Sequence, residues 1–211
     1  MYFCKVKKNG LTKSFLKMQI NVNNLFDVYC KKITTYGLSV DEAKMLIQSI
    51  GADRIKNAPF MMDNKYNVST QGSMLLVVLH LLTTTAYYLY NNTYKQIMPN
   101  ISDVVNESSL YKVCLLQHLA KAVMFEPDKY PYQYRFAESQ TSLKLGSRSL
   151  SLLTNCGIKL TETEVEALTI IDVDEIASSK NFYISTLAKM VKQVNDITNI
   201  AIKNGYFKDN K

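Results

Sequence analysis

Leu115-Leu116-Gln117-His118-Leu119-Ala120-Lys121-Ala122 is the stretch from which the fold is read. Val105, Leu110, Val113, Leu116 and Leu119 recur around it at helical spacing. The spacing predicts a helix over residues 102–125, opened by Ser102 after Pro99-Asn100 and ended by Glu126-Pro127-Asp128. Within that apolar helix stand an amide, an imidazole and an ammonium. A lone imidazole on such a surface reads more readily as a satisfied core group than as a ligand.

Working outward, the same pattern recurs. Leu25, Phe26, Tyr29 and Ile33 predict a helix over 23–36 that Gly37 stops. Ser39 with Glu42, and Thr161 with Glu164, read as capping boxes opening helices over 39–51 and 161–171. Residues 52–71 read as an irregular connection, because Ala58-Pro59 breaks helix and Asp63-Asn64-Lys65 is turn chemistry. Residues 72–90 read as a central helix, apolar nearly all round until the Thr run. Residues 126–141 read as a polar loop and 145–156 as a helix closed by Gly157. A last helix is expected over 180–203, with a stripe of Ile184, Leu187, Met190, Val191, Val194, Ile197 and Ala201. Residues 1–20 form a basic arm with a possible short strand at 2–6. No internal repeat or low-complexity tract appears.

The 211 residues suit one domain, or one domain with an appendage, and seven Gly with four Pro favour long helices over many tight turns. The net charge of +7 suits an acidic partner or nucleic acid. The lysines are scattered, however, which fits a solvated basic surface better than a groove-reading footprint. Cys4, Cys30, Cys114 and Cys156 form no CxxC and read as buried thiols in a reducing compartment. Residues 1–5 show neither the apolar stretch nor the cleavage site of a signal peptide. The apolar run 74–82 is too short to span a bilayer. A cytoplasmic protein without a membrane partner is therefore expected.

Across residues 23–175 the chain resembles the HD-domain phosphohydrolases. Leu115 to Ala122 resembles Leu-Leu-His-Asp-Leu-Cys-Lys-Ala, the segment carrying that family's metal-binding His-Asp pair. Lys65-Tyr66-Asn67 is similar to a Lys-Tyr-His loop, and Gly72-Ser73-Met74-Leu75-Leu76-Val77 to Gly-Gly-Leu-Leu-Glu-His. Pro131-Tyr132 followed by Leu145-Gly146-Ser147-Arg148-Ser149 is similar to Pro-Tyr-Gly-His-Gly-Glu-Lys-Ser, split by an insertion. Leu160 to Leu168 resembles a Leu-Thr-Asp-Glu-Glu-Ala run, and Ile170-Ile171-Asp172-Val173 stands where the family has Ile-Arg-Trp-His.

The resemblance implies an all-α, HD-domain-like helical bundle over 21–175, with an N-terminal basic arm at 1–20 and a long C-terminal helix and tail at 176–211. It also implies that the metal site is lost. The ligand positions are Val77, Gln117, His118, Leu145 and Val173, and the chain holds only two histidines, His80 and His118. Such a site needs several imidazoles and a carboxylate to hold its metal and generate a hydroxide nucleophile. Val and Leu instead fill space, so no cofactor is expected.

Lys121 and Arg148 stand where the family contacts phosphate, and read either as anion ligands or as partners of neighbouring carboxylates. The loop tyrosines Tyr130, Tyr132 and Tyr134 read either as an interface or as packing on their own domain. His80 reads as core or surface.

The function expected is that of a non-catalytic structural or assembly protein, working with other protein subunits as a homo-oligomer or larger assembly. A phage-encoded head-to-tail connector ring, found in host cytoplasm and virion, is the specialised form of that reading. An active phosphohydrolase rearranged around His118, Asp172 and Asp174 is one alternative. A nucleotide- or anion-binding sensor is the other.

Overall fold

Four helices begin where a side chain satisfies a first free N–H group, at Ser39, Asn106, Thr161 and Ser185. The computed structural model describes residues 22–60, 74–128, 134–138, 142–172 and 183–204. The expectations for the N-terminal arm, for Tyr130 and Tyr132, and for Val173 and Asp174 lie outside those residues. After α1 (Val22–Thr35), Ser39 and Glu42 form a full capping box and open α2 (Val40–Ile50). Gly51, at φ +92°, turns the chain into α3 (Ala52–Asn57). That short helix corrects the irregular connection expected from residue 52 onward. The break comes at Ala58, held extended before Pro59.

The apolar helix α4 (Met74–Leu89) buries Met74, Leu75, Leu76, Val78, Leu79, Leu82, Thr83 and Ala86, and passes through a π turn (Tyr90–Tyr94) into α5 (Lys95–Ile97). The helix expected over 72–90 is thus present from Met74. Within it Thr83 and Thr84 donate to the carbonyls of Leu79 and His80 at 2.8 and 2.9 Å, so the hydroxyls are satisfied within the helix. The resulting run Met74–Ile97 is 24 residues, long and apolar enough to cross a membrane by length and composition. Half of its most apolar window is buried against this chain, as in a core helix.

The single helix expected over 102–125 is three: α6 (Ile101–Val104), α7 (Glu107–Leu116) and α8 (Lys121–Met124). Asn106 caps α7 by accepting from Ser108 N at 2.9 Å. Beyond α8, residues 125–127 and 134–136 pair as a small antiparallel hairpin, β1 (Phe125–Pro127) and β2 (Tyr134–Phe136), correcting the expected loop. Its register sets Phe125 opposite Phe136 and Glu126 opposite Arg135, an aromatic pair and an opposite-charge pair. The fold is therefore mostly helical, with one two-stranded sheet.

A helix α9 (Leu145–Asn155) ends at Gly157, whose φ of +71° suits glycine. The Thr161 capping box then opens α10 (Glu162–Thr169), followed by a 3-10 turn (Ile170–Asp172). Ser185 caps the last helix, α11 (Thr186–Lys203). The buried stripe of α11 is Leu187, Ala188, Met190, Val191, Val194, Asn195, Thr198 and Ile202. This corrects the expected stripe, since Ile197 and Ile200 face outward. The helix is also no appendage, because it packs on α4, α7 and α10 in the one core. Cys114 and Cys156 are buried thiols, whereas Cys30 is half-buried.

One ion pair is set into this core. Lys112 Nζ lies 3.0 Å from Glu164 Oε2 and 3.1 Å from the Lys159 carbonyl, and the same Glu164 oxygen accepts from Thr161 N at 3.0 Å. Lys112→Met strands a buried carboxylate and is expected to lower stability by about 3–5 kcal/mol in urea unfolding. Adding Glu164→Gln keeps an oxygen for the cap, removes the charge and should recover part of that loss. If nothing is recovered, the stranded charge is not its cause.

Candidate functional site: a buried amide and imidazole cluster

The cluster begins with a change of helix type. After α7 the backbone tightens: Leu119 N donates to Leu116 O at 3.1 Å, and Lys121 N to His118 O at 3.0 Å, each three residues back rather than four. The carbonyls of Leu115 and Gln117 thereby lose their usual helical donors. Side chains from other helices replace them. Tyr29 Oη on α1 lies 3.4 Å from Leu115 O, and Ser149 Oγ on α9 donates to Gln117 O at 2.7 Å.

The tightened turn points Gln117 and His118 inward, at 0% and 8% exposure. There they meet Asn195 of α11. Asn195 Nδ2 donates to Val191 O at 2.9 Å and to Gln117 Oε1 at 2.6 Å. A backbone carbonyl only accepts, so it fixes which end of the amide is nitrogen. Asn195 Oδ1 therefore faces His118 Nε2 at 2.9 Å, and the imidazole donates from Nε2. Its Nδ1 is then a bare lone pair. It has no partner among the described residues, as is also true of Gln117 Nε2 and Thr198 Oγ1. Phe60 meets His118 edge to face with centroids 5.1 Å apart.

Burial drives the His118 pKa down to about 3. The nearby Lys121 ammonium works in the same direction, and the bond to Asn195 works against it. The imidazole is thus neutral at neutral pH. The cluster is uncharged, walled by an aromatic ring and closed by a helix from the far end of the chain.

The other candidate residues lie apart in role. Val77 packs against the core from α4, and Leu145 opens α9, one turn before Ser149. Neither side chain carries a metal donor. Among the described residues no group of three or more His, Cys, Asp and Glu is placed to hold a metal. Asp172 closes the 3-10 turn. Lys121 Nζ donates to Phe60 O at 2.7 Å and sits 3.5 Å from the centre of the Phe60 ring, while Arg148 Nε donates to Leu143 O at 2.8 Å. Both cations are thus engaged with backbone carbonyls. Tyr134 is half-buried, its hydroxyl donating to Asn57 O at 2.7 Å.

His80 sits on α4, where its Nδ1 accepts from Lys32 Nζ at 3.0 Å. Burial first, and the Lys32 charge second, bring its pKa down to about 4. The sequence reading missed Asn195 and Lys32. The signal for Asn195 was an amide inside an otherwise apolar helical stripe. Lys32 gave no local signal. Compared with known proteins, the chain matches no family model, no curated protein and no solved structure.

Two expectations follow from the cluster. Asn195→Ala leaves Gln117 Oε1 and His118 Nε2 unpaired in the core, at roughly 1–3 kcal/mol for each orphaned group. An unfolding midpoint unchanged by Asn195→Ala would mean that the amide does not tie α11 to α7.

The second concerns pH. The folded pKa of His118 lies below the unfolded value of about 6.5, so the unfolded chain binds the extra proton. Stability from this group is complete above about pH 6.5 and falls, by up to about 1.4 kcal/mol per pH unit, as pH drops toward 3. In urea midpoints measured between pH 4 and 7, His118→Gln should show a shallower slope than the parent. An equal slope would show that the imidazole takes up its proton without loss of the fold.

Proposed function

We propose that this chain is a non-catalytic structural or assembly protein, built on an HD-domain-like helical scaffold whose metal-binding pair has become core. The observation that carries this reading is the Asn195 amide bonded to both Gln117 and His118. Metal-assisted hydrolysis needs an ion with a coordination position open to water. At the two positions corresponding to the His-Asp pair, this chain has a neutral amide and a neutral imidazole, and α11 covers both. Val77 and Leu145 add apolar volume at two further positions of the resemblance.

A scaffold of this kind acts through its surface. Ile97 and Val104 are 73% and 61% exposed at the ends of α5 and α6, with Met98 exposed between them. Large side chains so exposed and so near in sequence support a contact with other protein subunits. The reading extends to a homo-oligomer or larger assembly, such as a phage head-to-tail connector ring in host cytoplasm and virion. The net charge of +7 would suit an acidic neighbouring subunit, with DNA a weaker second partner.

Native mass spectrometry of the full chain tests this. A closed, metal-free oligomer is the expected result. Ile97→Glu combined with Val104→Glu should dissociate it with an unchanged melting temperature, because exposed substitutions usually alter stability by less than about 0.5 kcal/mol. A monomer that binds one divalent metal stoichiometrically and hydrolyses phosphate esters would overturn the proposal in favour of a rearranged hydrolase.

A further inference from the structure

A cavity of about 240 Å³ is lined by Lys32 of α1 and Tyr36 just beyond it, Thr83, Thr84, Tyr87 and Tyr88 of α4, and Tyr111 of α7. Lys32 is half-buried, and its polar partner among the described residues is His80 Nδ1. That imidazole is neutral, so it accepts a hydrogen bond without balancing the charge. No ion pair with a carboxylate involves Lys32 among the described residues. Removing a cation from water without a counter-charge is costly, and burial lowers the Lys32 pKa accordingly. Glu107, which bonds Tyr111 of the cavity wall, is also occupied by Asn91 Nδ2 and Lys95 Nζ.

The walls are aromatic. Tyr36 and Tyr111 meet edge to face with centroids 4.7 Å apart, and Tyr87 and Tyr88 at 5.8 Å. Among the described residues no hydrogen bond engages the hydroxyls of Tyr36, Tyr87 and Tyr88. A cavity of roughly 150 Å³ holds a benzene ring, so this volume takes one ring and a charged group.

We infer that the cavity between α1, α4 and α7 binds a small aromatic anion: one ring carrying a carboxylate or phosphate group. The anion pairs with Lys32 and accepts from the Tyr36 hydroxyl, while the ring lies against Tyr87 and Tyr88. This stands apart from the proposed assembly role, since it uses neither the Asn195 cluster nor the Ile97 surface.

The test is an NMR titration of the full chain with phenyl phosphate, benzoate, inorganic phosphate and benzyl alcohol. Phenyl phosphate or benzoate should saturate at millimolar concentration and bind at least roughly tenfold more tightly than inorganic phosphate or benzyl alcohol. Which of the two binds more tightly identifies the anionic group. Lys32→Met should remove that advantage. Tyr88→Ser, at a half-exposed position that leaves the core untouched, should weaken the aromatic anions and leave inorganic phosphate unchanged. Three outcomes would overturn the inference: no saturation by either aromatic anion, equal binding of inorganic phosphate, or binding that survives both Lys32→Met and Tyr88→Ser.

Discussion

The Asn195 amide is the point on which the arrangement of helices depends. One of its donors is anchored to its own helix at Val191 O, so its orientation is decided before any tertiary contact forms. What remains is a donor for Gln117 Oε1 and an acceptor for His118 Nε2. Only one register of α11 against α7 serves both. An apolar stripe alone would allow α11 to slide by a turn at little cost, because Leu, Val and Met interdigitate in more than one way. A buried polar pairing penalises every wrong register by leaving groups orphaned. The same constraint reaches α9 through Ser149, since the turn that aims Gln117 inward also releases the carbonyl that Ser149 occupies.

What was legible in the sequence follows from how local each signal is. The capping boxes at Ser39 and Thr161 involve atoms three residues apart, and both open helices at the positions they mark. The positive-φ glycines after α2 and α9 were legible for the same reason. The break at residues 117–120 was not. Gln, Leu and Ala there all favour helix, and the tightening is stabilised by Ser149 and Tyr29, which lie 32 and 86 residues away. The hairpin was hidden likewise, because its pairs, Phe125 with Phe136 and Glu126 with Arg135, become informative only once the register is known. The stripe of α11 was misassigned at Ile197 because hydrophobicity was read as burial. Asn195 and Thr198 take the inward positions, and isoleucine is left outside.

The candidate site shows the same division. That the chain holds two histidines is a matter of composition and needs no register. That Gln117 meets Asn195 required the fold, since the two are 78 residues apart. Lys121 and Arg148, marked by motif position, donate to the carbonyls of Phe60 and Leu143. Lys32, which no motif marks, is half-buried with no carboxylate ion pair among the described residues. Lys112 shows the contrast within one protein, since it is balanced by Glu164. Such differences lie in the neighbouring helix, not in the local sequence.

The three orphaned atoms, Gln117 Nε2, His118 Nδ1 and Thr198 Oγ1, explain why the pair at 117 and 118 is neutral. An unpaired amide or imidazole nitrogen in a core costs roughly 1–3 kcal/mol, a penalty one domain can carry. An unpaired carboxylate at the same depth would cost far more. Lys121, the nearest candidate counter-ion, already donates to the Phe60 carbonyl. A carboxylate at this depth under α11 would need a counter-charge, so a neutral amide–imidazole pair is what suits a core that α11 closes.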